Sequence, residues 1–105
     1  MAYDEDLAWR VREQLAEIDA VATEKRMFGG LAFLIGGHMA VAVSGNGGLM
    51  LRGEPGEPHT EPIEMRGRTM RGWARVRPAA LEGDAQLAEW VRRGVAAAAT
   101  LPAKA

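Results

Sequence analysis

One serine, two histidines and no cysteine make up most of the nucleophile and base inventory of this 105-residue chain. Ser44 begins a glycine turn, and His38 precedes it across a short apolar run. Brought together at one hairpin end with a carboxylate to orient the imidazole, the two would make a nucleophile–base pair. Ser44 lacks the strained strand-to-helix turn that presents a nucleophile, so its expected role is to bond local backbone in a turn. His59-Thr60-Glu61 supplies two metal-ligand types, but a site needs a third at suitable spacing and none lies nearby. Gly45-Asn46-Gly47-Gly48 has the glycines of a phosphate loop without the lysine and the following helix. No metal, cofactor or catalytic residue is therefore expected.

A different pattern stands out between Ile63 and Arg77. Alternation over Met70–Arg77 places Met70, Gly72, Ala74 and Val76 on one face and Arg71, Trp73, Arg75 and Arg77 on the other. Arg66 is expected to point the same way as the second set, and Arg68 lies in a turn beside Gly67. An aromatic ring among arginines suits stacking and phosphate neutralisation, or an acidic protein. It also suits a solvated face on which arginine stems cover the ring and pair with Glu64. Glu54, Glu57 and Glu61 lie just upstream and bring neutralising charge.

These residues must be positioned by a small set of elements. A helix is expected from Asp4 to about Ala20, capped by Asp4 or Asp6, with Leu7, Val11, Leu15 and Ile18 as its core stripe. Trp9 falls on the opposite side and is the expected point of self-association or partner contact. Beyond it the hydrophobic period changes to two. Lys25–Phe28 reads as a short strand ended by Gly29-Gly30, where a bulge or corner with positive φ is expected. Leu31–Ile35 and Met39–Val43 form a hairpin through Gly36-Gly37, and Leu49–Arg52 follows the next glycine turn. Residues 53–62, with three prolines, read as a loop. Ile63–Arg66 and Met70–Arg77 read as a second hairpin turning near Gly67-Arg68. Asp84 is expected to cap a last helix facing inward with Leu87, Trp90, Val91, Val95, Ala98 and Leu101, and Pro102 ends it.

Thirteen basic against fourteen acidic residues argue against a protein that coats nucleic acid without specificity. Forty-eight per cent hydrophobic and 26% charged residues exclude a disordered or collagenous chain, and the apolar runs are too short to span a membrane. The acidic N-terminus is unlike a signal peptide, so a cytoplasmic location is expected.

Arg26-Met27-Phe28-Gly29-Gly30-Leu31-Ala32-Phe33, Leu49-Met50-Leu51-Arg52, Met65-Arg66-Gly67-Arg68 with Met70-Arg71-Gly72-Trp73, and the Leu87, Trp90, Val91 spacing occur in an order that resembles the N-terminal domain of the TfoX/Sxy family. The resemblance implies one domain over residues 1–105, without the C-terminal domain of the competence regulators. It implies an α+β fold: an antiparallel sheet with N- and C-terminal helices on one face, two-layered and similar to secretion chaperones. It also implies that Met27, Phe28, Gly29, Gly30, Gly67, Met70 and Gly72 are structural. By resemblance, the function is a non-enzymatic regulatory or interaction domain, a transcriptional co-regulator contacting a protein partner in the transcription machinery. Two alternatives stand beside it: a nucleic-acid-binding module using Arg66, Arg68, Arg71, Trp73, Arg75 and Arg77, and a small-molecule-binding or catalytic domain with His38 near the glycine turns.

Overall fold

The structure is a computed structural model that describes residues 3–27, 29–53, 56, 58–65 and 67–102. Helix α1 (Glu5–Glu17) is followed by strands β1 (Thr23–Met27), β2 (Gly30–Ile35), β3 (His38–Val43), β4 (Leu49–Arg52), β5 (Thr60–Met65) and β6 (Arg68–Val76). A short 3-10 turn (Pro78–Leu81) leads into helix α2 (Asp84–Ala99). The six strands form one antiparallel sheet in the order β1-β2-β3-β4-β6-β5, so the expected α+β class holds.

Asp4 caps α1, its Oδ1 accepting the Leu7 amide at 3.1 Å, with Glu5 and Asp6 in the favourable first turn. The helix stops at Glu17, short of Ala20, because Asp19 takes φ +53° and the Asp19 and Ala20 amides turn back to Ala16 and Leu15. Ile18 therefore leaves the stripe and is only half-buried, while Leu7, Ala8, Val11 and Leu15 are buried. At the far end Gly83, not Asp84, caps α2. The Gly83 amide donates to Gln86 Oε1 at 3.1 Å, and Asp84 is the first helical residue.

Gly36 and Gly37 have φ +60° and +85°, both positive as the tight two-residue turn between β2 and β3 requires. Strand β5 begins at Thr60, inside the segment expected to be a loop. Pro62 is tolerated because β5 is the sheet's edge, where one row of amides has no strand to pair with. The chain crosses to that edge before β6 returns between β5 and β4.

The core lies between the helices and one face of the sheet. Leu7, Val11 and Leu15 of α1 and Leu87 and Val91 of α2 pack with Leu31, Phe33, Val41, Val43, Leu49, Leu51 and Val76. Trp90 and Val95 are partly buried at its margin, Ile35 is half-buried, and Leu101 is exposed. Among the described residues no helix is long and apolar enough to cross a membrane.

Candidate interaction surface

The face of the sheet opposite the helices has an apolar cluster of its own. Ala32, Ala42, Met50 and Ile63 are buried at its centre, and the partly buried Met27, Leu34, Met39, Met70 and Trp73 surround them. Strand register explains the grouping: Ala32 pairs with Ala42 and Ala42 with Met50, and directly opposed residues share a face. Small alanines sink beneath the longer side chains around them. Thioether side chains, unbranched and polarisable, predominate in this rim and can repack around different shapes.

Trp73 belongs to this cluster, and so does Met70. This corrects the expected alternation, which put the two on opposite faces. Gly72 between them has φ +80°, and β6 shifts register against β5 in the same region, so simple alternation fails there. The second half of β6 does alternate as expected: Ala74 and Val76 are buried, and Trp73 and Arg75 point away.

The arginines do not form one free cationic stripe. Arg75 approaches Glu61 at 3.6 Å and donates Nη2 to the Asn46 carbonyl oxygen at 3.4 Å. Arg77 meets the same Glu61 at 3.4 Å. Arg68 and Arg71 are exposed. Arg52, which was not among the candidates, has its guanidinium carbon 4.5 Å from the centre of the Trp73 ring and donates Nε to the Met39 carbonyl at 3.2 Å. Its signal in the sequence was its place at the end of β4, but its pairing with Trp73 depends on β6 lying beside β4. Arg66 and Phe28, with Glu54 and Glu57, lie outside the described residues.

The catalytic combinations do not assemble. His38 and Ser44 stand at opposite ends of β3, about 20 Å apart for six steps of extended chain. His38 Nε2 lies 2.6 Å from the Pro102 carbonyl oxygen, and buried Ser44 accepts the Asn46 amide at 3.1 Å, the turn role expected of it. His59 is exposed with φ +71°, while Glu61 is occupied by Arg75 and Arg77. No group of three metal-ligating side chains occurs among the described residues. Gly29 has φ +75°, in keeping with the expected corner, and a Cβ on Gly30 would stand 2.1 Å from the Val43 carbonyl oxygen, so β2 and β3 meet too closely there for any side chain. Gly67, also at positive φ, occupies the β5–β6 turn.

On the helical side, Trp9 is 61% exposed, where the helix period put it. Arg12 makes a bidentate ion pair with Glu24, at 2.6 and 2.7 Å, that ties α1 to edge strand β1. The hydrogen bonds from Arg12 hold the Glu24 carboxyl below its ordinary value.

The TfoX N-terminal domain model matches residues 13–98 of the chain. No curated protein and no solved structure matches it.

Proposed function

We propose that this chain, which belongs to the TfoX N-terminal domain family, is a non-enzymatic interaction domain that acts by docking a protein partner on the open face of its sheet. One observation carries this reading: both helices pack against one face, and the opposite face bears its own contiguous cluster of alanine, methionine, leucine, isoleucine and tryptophan side chains. Contiguous apolar surface of this kind marks a site where another macromolecule or ligand is received. A regulatory role in transcription is the form of this function that the family suggests. Direct nucleic-acid binding is less well supported, because the chain's formal charge is −1 and one face of the Trp73 ring, the aromatic of this cluster, carries Arg52.

Photo-crosslinking in the source cell tests the reading. A crosslinker at Met39, on the sheet face, is expected to give a discrete protein adduct that resists nuclease and disappears with Leu34→Glu in a folded chain. A crosslinker at Glu13, on the exposed side of α1, is expected to give no such adduct. Adducts made only of nucleic acid, or equal adducts from both positions, would overturn it.

A further inference from the structure

The partner's chemistry follows from the charges set around this face, an inference that rests on the interaction reading above. Strand register places three cations on it: Lys25 opposite Ala32, Arg52 opposite Trp73, and Arg75 opposite Met50. Glu61, opposite Arg75, is a carboxylate on the same face, and it also takes Arg77. The chain as a whole has formal charge −1, so this face is positive against an acidic remainder.

The cationic end is also concave. A cavity of 130 Å³ is lined by Arg75, Ser44, Asn46 and Glu64, with Met50 and Ile63 of the apolar cluster in its wall. Counting Glu64, cations still outnumber carboxylates three to two. Arg75 Nε is buried, and among the described residues it has no hydrogen-bond partner. The Arg75 side chain as a whole keeps 28% of its surface exposed, so an incoming carboxylate would meet the solvent-facing part of the guanidinium.

We infer that the open sheet face receives an acidic, apolar segment of a partner protein, whose apolar side chains sit over Leu34, Met39 and Trp73 and whose carboxylate enters the cavity beside Arg75. Two other occupants fit less well. A second copy docked face to face would bring the same surplus of cations against itself. A nucleic acid would meet alanines, methionines and a ring already stacked on one side, which offer bases little to stack on.

Selection of short random peptides displayed against the intact chain tests this. Enriched peptides are expected to combine apolar residues with Asp or Glu. A synthesised one is expected to bind about tenfold or more weakly to Arg75→Ala, to weaken with added salt, and to be lost with Met39→Glu. Arg92→Ala, on the exposed side of α2, is expected to bind it unchanged. Circular dichroism of each variant separates lost contacts from lost folding, and Arg52→Gln gives a second reading of the charge requirement if Arg75→Ala does not fold. Enriched peptides that are basic or uncharged, or whose binding changes less than about twofold in both arginine variants, would overturn the acidic partner while leaving the docking face intact. Tighter binding of a single-stranded oligonucleotide to the same face would overturn it as well. No enrichment over a blank surface would overturn the docking face itself.

Discussion

Gly94 of α2 lies directly over Ala40 of β3: a Cβ built on Gly94 would stand 2.6 Å from the Ala40 carbonyl oxygen and 2.5 Å from Val41 Cγ1. Helix and sheet meet here without room for a methyl group. In an exposed helix, Gly→Ala stabilises by about 1 kcal/mol. Here backbone must move to admit the methyl, and overpacking of this kind costs about 1–3 kcal/mol. Gly94→Ala is therefore expected to lower stability in urea titration. An increase would show that α2 does not approach β3 this closely.

The two large apolar residues of α2 should differ in the opposite order to their size. Leu87 is fully buried, and Leu87→Ala is expected to cost about 2–5 kcal/mol. Trp90 is only partly buried, with Arg93 lying 4.9 Å from its ring centre. Trp90→Ala should cost about 1–2 kcal/mol, less than the roughly 3–5 kcal/mol of a fully buried aromatic. Equilibrium unfolding of both variants checks the order.

Glu24 gives the acid limb of stability a specific contributor. Its carboxyl is held below the ordinary 4.5 by hydrogen bonds from Arg12. A carboxyl lowered on folding adds stability that is present above the unfolded value and lost as pH falls through the folded one. Glu24→Gln should therefore reduce stability at neutral pH by about 0.2–1 kcal/mol, the range of exposed pairs, and the difference from wild type should shrink as pH falls from 4.5 and vanish once it is below the lower folded value. A difference that persisted at low pH would place its origin outside the ion pair.

Trp9 tests whether the helical side also associates. At 61% exposure its removal is expected to change unfolding stability by less than about 0.5 kcal/mol. If Trp9 mediates self-association, sedimentation of the wild type at tens of micromolar should show a larger species that Trp9→Ala loses. Monomeric profiles for both chains would end the self-association reading.

The class of fold was legible in the residues because most of its elements announce themselves locally, the start of β5 at Thr60 being the exception. Leu7, Val11 and Leu15 carry the 3.6-residue period, Asp4 supplies the cap, and Leu31–Val43 alternates about a Gly-Gly turn. Two adjacent glycines between alternating apolar runs favour a tight two-residue turn, so the first hairpin needed no tertiary information. What only the tertiary structure decided is non-local. Pairing of β6 with β4, and the outward place of β5, set Arg52 against Trp73 and Glu61 between Arg75 and Arg77. Gly72 breaks the alternation that the residues of β6 suggest and returns Met70 to the face of Trp73. A local pattern fixes which residues can share a face. Which faces meet, and so which apolar cluster lies on the sheet face away from the helices, depends on contacts between segments distant in sequence, and no short-range period encodes them.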